Sequence, residues 1–138
     1  MSRPTPHEAM IYLMVMTSAA DRDMTDSELS RIGTLIRTLP VFEDFDAGRT
    51  IEVARQCQEL LQQDGGMEGA LRVVAQSIPA SLRETAYLLA VEIAAADLDI
   101  KAEELRMLQL WADRLEIEPL AVAAIERAAR ARYRRLGS

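Results

Sequence analysis

The residues best suited to chemistry are two sets of carboxylates that share one spacing. The sets lie 76 positions apart and consist of Asp21, Asp23 and Glu28, and of Asp97, Asp99 and Glu104. Hard cations such as Ca²⁺ and Mg²⁺ prefer oxygen ligands, and several carboxylates on one short loop supply them. Six carboxylates held close together would repel one another unless a cation neutralised part of their charge. The spacing therefore indicates a divalent-cation site, with Ca²⁺, Mg²⁺, Mn²⁺ and Zn²⁺ as candidates.

Glu92 is a seventh candidate ligand, five residues before Asp97 and beside the apolar Ile93. Its counterpart 76 positions earlier is Met16, so the two sets are not equivalent. The alternative interpretation is architectural, because Asp before a helix is an ordinary N-cap and Glu in a first turn suits the helix dipole. Neither loop is an EF-hand, since the Gly and Glu that an EF-hand requires are absent. A cation or partner site and simple helix caps both stay open.

The carboxylates belong to a longer repeat of helix, acidic loop and helix. Residues 8–40 and 84–116 are identical at ten of 33 aligned positions. The second helix of each copy also carries apolar residues at spacings 3, 4 and 3, which is a helical pattern. These residues are Leu29, Ile32, Ile36 and Leu39, and Leu105, Leu108, Ala112 and Leu115. The repeat predicts a packing unit used twice, with an approximate internal two-fold.

Turn and cap residues predict where the helices begin and end. Pro40 ends one helix, Asp64-Gly65-Gly66 ends another, and Pro119 begins the last, which should run to about Leu136. Capping boxes are predicted at Thr25–Glu28 and Ser81–Glu84, and residues 1–6 are expected to fray. The pattern gives about seven helices and no strand. We therefore expect an all-α fold, a compact bundle of antiparallel neighbours forming a single domain over residues 1–138.

Composition excludes several classes of function. The net charge is −6, and the one cysteine, Cys57, rules out an internal disulfide and a cysteine-based metal cluster. No 18-residue apolar run predicts a membrane span, and the N-terminus lacks a secretory signal, so we expect a cytoplasmic protein. Only residues 101–138 are basic, with 8 basic and 6 acidic groups, and we expect no nucleic-acid partner. The chain has no phosphate loop, catalytic triad or paired histidines, which favours a non-enzymatic role over a metal-dependent hydrolase.

The repeated motif resembles the TerB-like family, the all-helical domain of bacterial tellurite-resistance operons. The same fold occurs at the N-terminus of a membrane-bound J-domain co-chaperone. The family pattern reads roughly Ala-Asp-Gly-x-(Ile/Leu)-(Ser/Thr)-x-x-Glu-x-x-x-(Ile/Leu). Matching residues are Ala20, Asp21, Met24, Thr25, Glu28 and Ile32 in the first copy, and Ala96, Asp97, Ile100, Glu104 and Leu108 in the second. Glu92 also looks like the family.

One position departs from the family pattern. The family's glycine is Arg22 in the first copy and Leu98 in the second, and both are costly if that position needs a positive φ. The resemblance implies an acidic interaction module, linked to tellurite and other stress responses, that binds a divalent cation or a protein partner. A pure protein-interaction domain whose loops only cap helices is the alternative.

Overall fold

The computed structural model describes residues 3–19, 24–96 and 100–137. Within these segments the chain forms seven α-helices, three single 3-10 turns and no strand. The predicted all-α class and the number of helices are confirmed. The helices are α1 (Pro6–Ala19), α2 (Asp26–Thr38), α3 (Thr50–Leu61), α4 (Gly66–Ser77), α5 (Arg83–Ala95), α6 (Ala102–Arg114) and α7 (Pro119–Arg132).

Helix α1 lies at the centre of the bundle because none of its faces is polar. Every residue from Ala9 to Ala19 is buried, and a helix that is apolar all round is stable only when other helices surround it. It packs against α2, α3, α4, α5 and α6. Helix α5 is the second central helix, with seven buried residues and contacts to α1, α6 and α7.

A polar contact at the centre joins α1 to α6. The Trp111 Nε1–H donates to Thr17 Oγ1 at 3.0 Å, and the Thr17 hydroxyl donates to the Leu13 carbonyl at 2.7 Å. Both side chains are buried. Burial of an indole requires a partner for its N–H, so Thr17 allows Trp111 to pack in the core.

The peripheral helices α2 and α6 are amphipathic. Ile32 and Ile36 are buried on α2, as predicted. On α6 the prediction for Leu105 is wrong, because its side chain is 51% exposed. The buried face of α6 consists of Met107, Leu108 and Trp111, and the C-cap residue Leu115 is also buried. The large side chains of Trp111 and Met107 face the core, so the buried face of α6 is rotated about the helix axis relative to the face that the sequence predicted.

Helix starts follow the capping rules at two of three positions. The box at Thr25 and Glu28 is confirmed, with the Glu28 N–H donating to Thr25 Oγ1 at 3.1 Å and the Thr25 N–H donating to Glu28 Oε1 at 2.9 Å. A second box, between Thr5 and Glu8, begins α1. The fraying expected for residues 1–6 stays a prediction. The box predicted at Ser81 is wrong. Pro79 is followed by a 3-10 turn, α5 starts after it, and no side chain caps its first turn.

Left-handed residues lie at two helix boundaries. The chain breaks between α3 and α4 as predicted, but α3 already ends at Leu61, and Gly65 and Gly66, with φ of 99° and 50°, are the N-cap and first residue of α4. Glu116 occupies the same region with φ 54°. The Glu116 N–H donates to Asp113 O and the Ile117 N–H to Ala112 O, which is the Schellman arrangement that usually has glycine at this position. Helix α7 ends at Arg132, four residues earlier than predicted.

The helix bounds agree with the sequence repeat at the predicted offset. Helices α2 (Asp26–Thr38) and α6 (Ala102–Arg114) differ by 76 at both ends. The internal two-fold and the single domain over residues 1–138 stay predictions. No helix in the described segments combines the length and the apolar run that crossing a bilayer requires.

Candidate functional site

The structure brings together two of the predicted ligands. Glu28, in the first turn of α2, and Glu104, in the first turn of α6, line one cavity. Glu92 is not among the residues that line it. The other four candidates, Asp21, Asp23, Asp97 and Asp99, lie outside the described residues. Among residues 3–19, 24–96 and 100–137, no group of three His, Cys, Asp or Glu side chains is arranged to hold a metal ion.

The cavity has a volume of about 1040 Å³ and lies between the end of α1 and the first turns of α2, α4 and α6. Its apolar lining contains three methionines and two leucines, of which Met16, Leu71 and Met107 belong to the core cluster and the other two pack against it. The five are Met16, Met67, Leu71, Met107 and Leu110. The cavity floor is therefore the outer surface of the core.

Both cavity glutamates cap helices. Glu28 Oε1 accepts the Thr25 N–H at 2.9 Å and the Thr25 hydroxyl at 3.1 Å. Glu104 Oε1 accepts the Lys101 N–H at 3.3 Å. Lys101 has no side-chain acceptor, so α6 has only the reciprocal half of a capping box. Each glutamate makes a further interaction beyond these bonds, so capping is one role of these carboxylates and does not account for all their contacts.

The cavity wall carries charges of both signs. Arg31, Lys101 and Arg106 lie beside Glu103 and the two capping glutamates. Glu68, at the start of α4, forms an ion pair with Arg114. In the part of the chain that the structure describes, no salt bridge neutralises Arg31, Lys101 or Arg106. A mixed wall of this kind suits a charged segment of protein better than it suits an anion alone.

Glu92 is held by the end of α7. Its Oε1 lies 3.0 Å from Arg132 Nε, and its Oε2 accepts a hydrogen bond from the Tyr133 hydroxyl. The side chain of Glu92 is only 12% exposed, so these two donors supply the hydrogen bonds that water would give an exposed carboxylate. Burial and the Glu92 hydrogen bond raise the pKa of Tyr133. Sequence reasoning missed this contact, because no local pattern links residues forty positions apart.

Two other candidates for chemistry have structural roles. The Cys57 thiol is fully buried, and burial raises its pKa to about 12, which keeps it protonated and unreactive at neutral pH. His7 lies in the first turn of α1 against the rings of Phe42 and Phe45, with Nε2 2.8 Å from the Val41 carbonyl oxygen. It fixes the segment between α2 and α3 onto α1.

Comparison with known proteins agrees with this architecture. The family model described as tellurite resistance protein TerB matches residues 7–127 of the chain. The match runs from the first turn of α1 to the second half of α7, includes the whole cavity lining, and ends before Arg132 and Tyr133. No curated protein and no solved structure gives a significant match.

Proposed function

The chain belongs to the TerB family, and we propose that it is a non-enzymatic stress-response module of the tellurite-resistance type. It binds a protein partner, together with a divalent cation, at the cavity between α2 and α6. The observation that carries the proposal is the position of Glu28 and Glu104. These residues come from the two copies of the repeat, 76 positions apart, and line one cavity.

The cation part of the proposal rests on the sequence next to these helices. Each glutamate follows its two aspartates at a fixed distance, and the helix starts of α2 and α6 lie on the same cavity. Oxygen ligands from both copies would then serve one hard cation, which relieves their mutual repulsion. The family's glycine is replaced by Arg22 and Leu98, so we expect weak binding.

The partner part rests on the cavity floor. Methionine side chains are flexible and polarizable, and grooves rich in methionine adapt to different apolar side chains. A floor of Met16, Met67 and Met107 under a wall of mixed charge fits an amphipathic helix, which inserts one apolar anchor and places its charged residues at the rim.

Thermal unfolding with and without a divalent metal tests the cation. A ligand that binds only the native state stabilises it by about 2.7 kcal/mol at one hundred times its Kd. Millimolar Ca²⁺, Mg²⁺, Mn²⁺ or Zn²⁺ should raise the melting temperature, and Asp97→Asn should abolish the rise. Asp113→Asn, an exposed acid on α6 away from the cavity, is the matched control. If metal has no effect while Glu104→Ala costs only about 1 kcal/mol, the glutamates are caps alone.

Methyl NMR tests the partner surface. In protein labelled with [methyl-¹³C]methionine, a synthetic amphipathic helix with an apolar face and mixed charges should shift the signals of Met16, Met67 and Met107. Met10 and Met14, which are buried on α1 and do not line the cavity, are internal controls. Equal shifts at all five positions, or shifts at the controls alone, would contradict the proposed docking site.

A further inference from the structure

Helix α7 is attached to the bundle mainly through α5. Among the described residues Ala129 is its only buried side chain, while Val122 and Ile125 are half-buried against the core. Leu120, in the first turn, is 81% exposed. An element with so few buried apolar contacts can separate locally without unfolding the rest of the protein.

Specific polar contacts hold α7 in place. The Tyr87 hydroxyl of α5 donates to Glu126 Oε2 at 2.7 Å. Near the end of α7, Arg132 and Tyr133 both contact the carboxylate of Glu92. Tyr87 is buried and Glu92 nearly so. The α5 face beneath α7 therefore carries a hydroxyl donor and a carboxylate whose protein partners come from α7 and the residue after it.

The connection before α7 is short and strained. It consists of residues 115–118, and Glu116 within it has φ 54°. Side chains adopt this left-handed region at a cost, because Cβ crowds the following carbonyl. A short strained connection favours exchange of the following element between molecules, since opening the connection relieves the strain.

We propose that α7 exchanges between two copies of this chain. In the exchanged pair, the α7 of one copy lies on the α5 of the other, and Glu126, Arg132 and Tyr133 contact Tyr87 and Glu92 in trans. Every α5–α7 contact is formed again, so only the connection changes. Arg132 and Tyr133 lie beyond the part of the chain that matches the TerB family model, and the exchange does not depend on the proposed cation or partner site.

Complementation between two full-length variants tests the exchange. The first variant, Arg132→Ala with Tyr133→Phe, keeps Glu92 but loses its donors. The second, Glu92→Gln, keeps the donors but loses the carboxylate. Neither forms the charge-assisted contact alone, whereas an exchanged pair of the two forms it once in trans. In sedimentation experiments the mixture should dimerise at a concentration about tenfold or more below that of either variant alone. A factor of this size is what the free energy of one charge-assisted contact gives.

Two further measurements keep the test decisive. The control mixture combines Glu92→Gln with Arg134→Ala, which removes the positive charge of an exposed arginine just beyond α7 but leaves Arg132 and Tyr133 intact. This mixture should dimerise no more readily than Glu92→Gln alone. Circular dichroism establishes that each variant is folded, and Glu92→Met, which also lacks the carboxylate, replaces Glu92→Gln if the latter is not. A mixture that dimerises no more readily than its separate components would overturn the proposal.

Discussion

Replacing Thr17 by valine tests the polar contact at the centre of the bundle. Valine keeps the branched shape of threonine but has no hydroxyl, so the Trp111 Nε1–H, which donates to Thr17 at 3.0 Å, loses its acceptor. A buried donor without a partner costs about 1–3 kcal/mol. The Leu13 carbonyl, which accepts the Thr17 hydroxyl, lies inside α1 and still accepts its helical N–H. We therefore expect Thr17→Val to lower the free energy of unfolding by about 1–3 kcal/mol.

Urea unfolding measures this loss directly. Trp111 is the only tryptophan, so its fluorescence reports both its own surroundings and the unfolding transition. The midpoint should fall with the slope unchanged, since the buried area hardly differs. Thr38→Val is the matched control, because Thr38 makes the same bond to the carbonyl four residues earlier, at 2.7 Å, but is exposed. It should change stability by no more than about 0.5 kcal/mol.

Equal effects of the two substitutions would refute this reasoning. Thr17 lines the cavity between α2 and α6 as well as accepting from Trp111. If Thr17→Val cost no more than Thr38→Val, water entering from the cavity would be solvating the indole N–H. The centre of the bundle would then be wetter than its burial indicates.

Three more predictions follow from single side chains. Glu116→Gly should stabilise the protein by up to about 1 kcal/mol in thermal unfolding, because glycine adopts the left-handed φ without steric cost. The ion pair with Arg83 that is lost is exposed and contributes little. A loss of stability would show that the Glu116 side chain is needed. Cys57, whose pKa burial raises to about 12, should resist a thiol reagent in the native protein and react in urea; rapid native reaction would show local opening. Burial raises the pKa of Glu8, but the Thr5 backbone bond and Arg49 outweigh it and lower the pKa below 4.5. The ionised Glu8 carboxylate therefore stabilises the folded state fully above pH 4.5, and this stabilisation is lost as the pH falls through the lowered pKa. In urea unfolding, Glu8→Gln should be less stable than the native sequence at neutral pH, and the difference in the free energy of unfolding should shrink in acid. A difference that does not change with pH would contradict the lowered pKa of Glu8.

Local rules predicted most of the helix boundaries. The proline at position 40, the glycines at 65–66 and the box at Thr25–Glu28 each act through a few neighbouring atoms, so sequence alone reveals them. The box at Thr5–Glu8 has the same signature and could have been predicted by the same rule. Ser81–Glu84 has the signature too, yet Pro79 initiates a 3-10 turn there instead. Competition between two local signals decides such a position, and the pattern by itself does not rank them.

Contacts between distant segments could not be predicted. The sequence shows that Glu92 is an acid beside a core residue, but its partners Arg132 and Tyr133 depend on where α7 comes to rest. Leu105 matched the helical spacing, yet Trp111 and Met107 took the inner face of α6. For the candidate site, the pairing of Glu28 with Glu104 at one cavity followed from the repeat, whereas the apolar floor depended on how four helices meet.

The burial of α1 on every side has a consequence for synthesis of the chain. Its main neighbour α5 begins at Arg83, so the ribosome adds 63 residues, 20–82, before that neighbour exists. At about 5–20 residues per second this takes roughly 3–13 s, whereas a helix forms within about a microsecond. During this interval the segment from Ala9 to Ala19 lacks the helix with which it makes its most extensive contact, so the face that α5 later covers stays open. Exposed apolar surface of this kind favours aggregation until α5 has been made.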